Sequence, residues 1–120
     1  MEKKEFYTPN AVVVFPEKAT ALGGIISSDL GVTENGRKIV KAGTPVGGDD
    51  FTVKDQTVLG AATADNVQGV LYNDVDVTNG NGNGTVMVSG YINERYLDSR
   101  VNVSDDIKKA LKNKITFINR

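Results

Sequence analysis

The sequence predicts a small, mostly β domain with one or two short helices, and three observations predict it. Residues 66–73 are apolar at their centre and bounded by polar residues. Residues 85–92 alternate, with Val86, Val88 and Ile92 on one face and Met87, Ser89 and Tyr91 on the other, a period typical of a half-buried strand. Between them, residues 79–84 repeat Asn-Gly three times, which favours a loop because both residues tolerate positive φ. We therefore expect the two strands to pair antiparallel in a mixed or antiparallel, barrel-like sheet.

The size and charge of the chain fit one domain. It has 120 residues, with 14 Lys and Arg against 15 Asp and Glu, so its net charge is −1. A chain of this length buries about 65% of its unfolded surface, which is enough for one modest core. Because a near-neutral charge creates no strong field, neither nucleic acid nor a membrane is an expected partner.

The sequence contains neither cysteine nor histidine. Disulfides and Cys-ligated metals are therefore excluded, and the usual general base near neutral pH is missing. No apolar run approaches the roughly 20 residues of a membrane span, and no signal-peptide core is present, so we expect synthesis in a cytoplasm. These features favour a binding or structural domain over an enzyme, with no cofactor.

The first 20 residues differ from the rest and are expected to form an extended arm, followed by a β-rich body over residues 21–120. Proline on both sides isolates a short β-branched run from any longer element. That run is either an edge strand of the domain's own sheet or an unpartnered strand that is added to another protein. The candidate binding residues of the arm are Phe6, Tyr7, Val12, Val13, Val14 and Phe15.

Local signals place the remaining elements. Asn35-Gly36 predicts a tight turn before a strand at residues 38–41, and Pro45 marks a corner or strand edge. Ser104 begins the one clear helix, expected over residues 104–113, as its N-cap. Ile107, Ala110 and Leu111 give that helix an apolar stripe, so it should dock on the sheet. Residues 115–118 are apolar on both faces and are expected to form a central strand.

Two motifs resemble ligand-binding loops only in part. Residues 74–80 begin like a calcium loop, but Asn79 stands where the pattern requires Gly and Thr85 where it requires Glu. The Gly-rich residues 80–85 lack the Lys and the following helix of a phosphate-binding loop. No catalytic residue and no metal ligand is predicted.

The order of several blocks resembles the bacteriophage lambda head decoration protein family. The resemblance covers roughly residues 37–118. It is carried by residues 37–46, which include Ala-Gly-Thr-Pro at 42–45, by residues 68–75, which include Gly69-Val70-Leu71, and by residues 86–92, which include Ser89-Gly90. A late helix and a terminal strand at 115–118 follow in the same order.

The resemblance implies a capsid decoration (cement) protein on the outer surface of a phage head. It implies a homotrimer that bridges major capsid protein subunits, with N-terminal segments that add strands to the shell. Fifteen extended residues would reach at most about 50 Å.

Two other functions are compatible with the residues. The first is a virion-borne carbohydrate- or host-surface-binding β-domain that uses Tyr72, Tyr91 or Tyr96 as a stacking platform. The second is a small carboxylate-based hydrolase, which the missing His and Cys disfavour.

Overall fold

A computed structural model describes residues 12–54 and 56–119 of the chain. The predicted mostly β fold is confirmed: the domain is a small closed β-barrel with one short helix in the described residues. The strands are β1 (Val13–Val14), β2 (Thr20–Ile26), β3 (Val32–Glu34), β4 (Arg37–Val40), β5 (Pro45–Gly47), β6 (Val58–Ala61), β7 (Val67–Leu71), β8 (Val75–Asp76), β9 (Gly82–Asn93) and β10 (Ile115–Ile118), and the helix is α1 (Asp105–Ala110).

Strand β9 closes the barrel. It pairs antiparallel with β2 along one edge and with β7 along the other, which confirms the predicted pairing of the two strands. The path β2–β6–β5–β7 completes the ring. The sheet is mixed, because β2 and β6 run parallel. A separate sheet, β3–β4–β8, contains the predicted Asn35-Gly36 turn between β3 and β4.

Two apolar cores lie on opposite faces of the β7–β9 pair. Leu71 and Val86 are register partners in the first core, and the adjacent partners Val70 and Met87 belong to the second. The first core contains Ile26, Val40, Val46, Phe51, Leu59, Leu71, Val75, Val77 and Val86. The second contains Val12, Val13, Val70, Met87, Ile92, Ile107, Leu111 and Ile115. The prediction that this part of β9 is only half-buried is therefore wrong.

A β-bulge at Val88 changes the faces of β9. Thr20 pairs with Ser89 and the next residue, Ala21, pairs with Met87, so the register skips Val88. One extra residue reverses the alternation beyond it. For that reason Ile92 shares the second core with Met87, and the prediction that it lies on the same face as Val86 is wrong.

The Asn-Gly repeat is partly strand, which the sequence did not predict. β9 begins at Gly82, and Gly84 pairs with Gly24 of β2. A Cβ at Gly84 would lie 2.8 Å from Val75 Cγ2 and 2.9 Å from Ile26 Cγ1. Glycine is therefore required here by close packing on the first core, and not by a flexible loop.

The predicted helix is confirmed but shorter than expected. Ser104 caps it, with the Ile107 N–H donating to Ser104 Oγ at 3.3 Å. Ile107 and Leu111 are buried, whereas Ala110 is exposed, so the prediction that Ala110 belongs to the buried stripe is wrong. No helix in the described ranges is long and apolar enough to cross a membrane.

The last strand lies at an edge, so the prediction of a central strand is wrong. β10 pairs in parallel with β9, its one strand neighbour among the described residues. Ile115 is buried in the second core, and Phe117 packs against that core. The apolar residues of β10 therefore pack between the sheet and α1.

The N-terminal run belongs to the domain's own sheet. Val13 and Val14 pair antiparallel with Ile92 and Tyr91, and Val12 accepts a 2.8 Å hydrogen bond from the Asn93 N–H. Of the two alternatives, the edge strand is the one observed, and the expectation of an unpartnered strand is wrong for Val12–Val14. Phe6 and Tyr7 lie outside the described residues.

We expect replacement of a side chain on the β7–β9 pair to destabilise the fold strongly. Leu71→Ala removes a fully buried side chain and should lower the free energy of unfolding by about 2–5 kcal/mol. The matched change Leu22→Ala, at a residue that is 42% exposed, should cost about 0.5 kcal/mol or less. Urea unfolding measures both, and equal losses would contradict the two-core description.

Candidate docking face beside the N-terminal strand

The β1–β9–β10 sheet has one buried face and one open face. Val14 and Thr116 are both register partners of Tyr91, so these three side chains lie in one row on the same face. The adjacent residues Val13 and Ile92 point into the second core. We call the open side, with Val14, Phe15, Tyr91 and Thr116, the docking face.

Phe15 has an unusual backbone conformation at this face. Its φ and ψ are 53° and 56°, which is the left-handed region, and Pro16 follows it. A bulky residue in this region costs about 1–2 kcal/mol, and a following proline restricts it further. The backbone therefore holds a strained residue between β1 and the 3-10 turn Pro16–Lys18.

The aromatic ring of this strained residue is partly exposed to solvent. Phe15 is 43% exposed, and its ring meets Tyr91 edge-on, with centroids 5.4 Å apart and planes at 88°. Because strained residues cluster at functional sites, and exposed aromatic residues are common binding anchors, Phe15 is the strongest candidate residue of this face. The isolation of residues 11–15 by proline predicted a binding role for Phe15, but not its conformation.

A polar groove of about 420 Å³ borders the same face. Its floor is formed by residues 89–91 of β9, and Lys18, Lys112 and Lys114 line it with the Thr116 hydroxyl. All three lysines are exposed, and in the part of the chain that the structure describes none is within ion-pair distance of a carboxylate. The sequence interpretation treated the helix lysines as a solvated face, because nothing local in the sequence places Lys18 beside them.

A second groove, of about 280 Å³, contains cations that are already paired. Arg100 binds Asp98 through two bonds, Nε to Oδ1 at 2.8 Å and Nη2 to Oδ2 at 2.9 Å, and it also donates to Glu34 Oε1 at 2.8 Å. Lys41 lies 3.2 Å from Asp74 and 3.5 Å from Glu34. Three carboxylates therefore neutralise two cations, which favours a structural network over an anion site.

The network shifts the pKa values of its members. Hydrogen bonds from Arg100 hold the pKa of Asp98 well below its usual range, and those from Arg100 and the charge of Lys41 lower the pKa of Glu34. Burial by itself would lower the pKa of Lys41, but hydrogen bonds and charges of Asp74 and Glu34 together outweigh it and raise this pKa. The network thus links residues 98–100, which follow β9, to Glu34 in β3 and to Lys41, which follows β4.

The aspartates of the partial calcium motif have separate partners. Asp74 accepts a 2.7 Å hydrogen bond from the Ala42 N–H. Asp76 accepts from the N–H and hydroxyl of Thr78, at 2.9 and 2.6 Å. Within residues 12–54 and 56–119, no three acidic, His or Cys side chains are grouped so that they could hold a metal ion.

Of the three tyrosines proposed as stacking platforms, Tyr91 alone lies on the docking face. Tyr72 packs against the second core. Tyr96 is 50% exposed, with the Arg95 guanidinium 5.8 Å from its ring centroid.

The blocks that resemble the decoration family meet where the barrel closes. The Gly43 N–H donates to the Leu71 carbonyl at 2.8 Å, and the Leu71 N–H donates to the Thr44 carbonyl at 2.9 Å. Gly69 is required because a Cβ there would overlap the Met87 carbonyl. The blocks at residues 37–46 and 68–75 therefore have a structural role where the barrel closes, whereas the block at residues 86–92 also contributes Tyr91 to the docking face.

No protein-family model, curated protein or solved structure is significantly similar to this chain. The family resemblance therefore stays a hypothesis.

We expect the Arg100 network to make stability depend on acid pH. The pKa values of Glu34 and Asp98 are lower in the folded protein than in the unfolded chain. Their contribution is therefore complete above about pH 5, where the unfolded carboxyls are also ionised, and is lost as the pH falls further. Arg100→Gln should flatten the decline in Tm between about pH 5 and pH 2.5.

Arg37→Gln is the matched control for this measurement. Arg37 is exposed and lies 3.8 Å from Asp76, whose pKa is lowered mainly by Thr78. The control should keep the wild-type slope in thermal unfolding at constant ionic strength. A wild-type slope in Arg100→Gln would contradict the prediction.

We expect the strain at Phe15 to appear as a difference between two variants that both lack the ring. Phe15→Gly should be more stable than Phe15→Ala by about 1 kcal/mol, because glycine adopts positive φ without a steric cost. At Val14, which is extended within β1, the order should reverse, with Val14→Gly the less stable. Denaturant unfolding of the four variants measures this, and the same order at both positions would refute the strain.

Proposed function

We propose that the chain is a capsid decoration protein, which docks on the outer surface of an assembled phage head and bridges major capsid protein subunits without catalysing a reaction. The observation that carries the proposal is the exposed, strained Phe15 ring on the docking face, directly after the strand β1 that follows residues 1–11. In this proposal the protein acts on the virion as a homotrimer.

The pairing of β1 changes how the arm would work. Because Val13 and Val14 pair with β9, the docking arm is limited to residues 1–11, which reach at most about 40 Å when extended. Phe6 and Tyr7 would be its anchors on the capsid. Since the root of the arm is fixed by β1, less conformational freedom is lost on docking than for a longer free arm.

The energetic basis of decoration is linkage. A protein that binds only the assembled lattice stabilises it by about 2.7 kcal/mol per site at a hundredfold excess over Kd. In a trimer, three arms raise the effective concentration at each contact, so that each contact can be weak. The order of the family-like blocks supports this function, and the closed barrel would provide a rigid body over a joint between subunits.

One observation favours the alternative, a virion-borne carbohydrate- or host-surface-binding domain. Tyr91 lines a groove together with Ser89 and Thr116, and aromatic rings with nearby polar residues suit sugar binding. Binding on a glycan array that Tyr91→Ala abolishes, without binding to heads, would favour this alternative.

We expect the full-length chain to bind purified, DNA-filled heads of the phage that encodes it, with saturable occupancy in a cosedimentation assay. Phe6→Ser/Tyr7→Ser should lower the affinity about tenfold or more, because exposed aromatic anchors dominate interface energy. Val53→Ser changes an apolar residue that is 82% exposed elsewhere on the body and should bind like wild type. Absence of binding by the wild-type chain would refute the function, and normal binding by the double variant would refute the arm.

A further inference from the structure

The groove beside Tyr91 brings together three lysines from two separate parts of the chain. Lys18 ends the 3-10 turn after β1, while Lys112 and Lys114 lie between α1 and β10. All three line the groove over residues 89–91 of β9. The fold therefore concentrates charge that the net charge of −1 does not reveal.

Like Lys38 and Lys109, the groove lysines form no ion pair within residues 12–54 and 56–119, whereas the other lysines there do. Lys54 pairs with Asp49 at 3.1 Å, and Lys108 pairs with Glu94 at 2.7 Å. Lys114 has a long-range effect on Asp50, whose pKa is lowered mainly by hydrogen bonds from Thr52 and least by this lysine. The groove lysines thus stay available for anions from another molecule.

We propose that this groove binds a carboxylate-rich segment of a partner protein. The inference rests on the proposed docking function and defines the chemistry of the surface that the docking face meets. Ammonium groups pair with carboxylates, the hydroxyl groups of Ser89 and Thr116 can donate to them, and the Phe15–Tyr91 pair offers an adjacent apolar contact. A segment that mixes acidic and apolar residues satisfies both parts of the face.

Two features favour a protein segment over a phosphate group. The Gly90 N–H, on the floor of the groove, already donates to the Lys114 carbonyl at 2.9 Å, and the groove has no arginine among its lining residues. Phosphate sites usually use free backbone N–H groups or arginine forks. In addition, the adjacent strand β10 has one strand neighbour in the described residues, so an extended peptide could lie beside it.

The chain's own arm is not a suitable occupant. Residues 1–11 contain Glu2 and Glu5 together with Lys3 and Lys4, so their side-chain charges cancel. An arm without net negative charge does not complement three lysines. The occupant is therefore expected to come from the partner.

The test uses the full-length chain and two variants with the same change in charge. Lys18→Gln/Lys112→Gln/Lys114→Gln removes the groove lysines, and Lys54→Gln/Arg95→Gln/Lys109→Gln removes three cations outside it. Fluorescein-labelled hexaglutamate is the probe, with binding followed by anisotropy at low salt. We expect the groove variant to raise the Kd about tenfold, and the control variant to change it by less than about twofold.

Two further probes identify the class of ligand. Inorganic phosphate and a short DNA duplex are titrated against the same three proteins. Stronger, lysine-dependent binding of either one than of hexaglutamate would overturn the proposal in favour of a phosphate or nucleic-acid site. Equal hexaglutamate affinities of the two triple variants would also overturn it.

Cosedimentation with heads separates this inference from the proposed function. We expect the groove variant to bind heads about tenfold more weakly than the control variant. Wild-type affinity in the groove variant would overturn the inference and leave the decoration function intact. If wild type does not bind heads at all, the decoration function fails, and the hexaglutamate titrations alone decide whether the groove binds acidic segments.

Discussion

The pairing of β7 with β9 is the constraint on which the rest of the structure depends. Val70 and Leu71 point to opposite faces, as do their partners Met87 and Val86, and both faces are covered by apolar residues. A strand pair that is buried on both sides has no tolerance for a register shift, because a slip of one residue would exchange the two sets of side chains. The β7–β9 pair therefore packs on the first core with one face and on the second core, which contains Ile107 of α1, with the other.

Strand β9 of this pair also positions the docking face. Beyond the bulge at Val88, β9 continues as the central strand between β1 and β10. One side of this extension packs on the second core through residues such as Ile92 and Ile115. The docking face is the opposite side. Phe15, which adopts a conformation that bulky residues otherwise avoid, directly follows β1 and packs edge-on against Tyr91 of this extension.

Local patterns in the sequence were sufficient for much of the fold, because they depend on neighbours in the chain. The turn at Asn35-Gly36, the cap at Ser104 and the antiparallel partners around Met87 could all be predicted in this way. Contacts between distant residues could not. The bulge depends on how β2 meets β9, and Gly84 is glycine because Val75 and Ile26 approach it closely. The lysine groove could not be predicted because Lys18 is distant in sequence from Lys112 and Lys114 and each of the three resembles an ordinary exposed residue.

The topology of β9 also affects how the chain reaches its folded state. Val13 pairs with Ile92, and Ile115 pairs with Gly90 on the other edge, so the first strand cannot pair until β9 has been made, late in synthesis. Pairings between distant positions slow folding, because a large loop must close before any contact forms. During translation, Val12 and Val13 therefore leave the ribosome long before the strand that shelters them, and nascent chains are exposed to premature association through this segment.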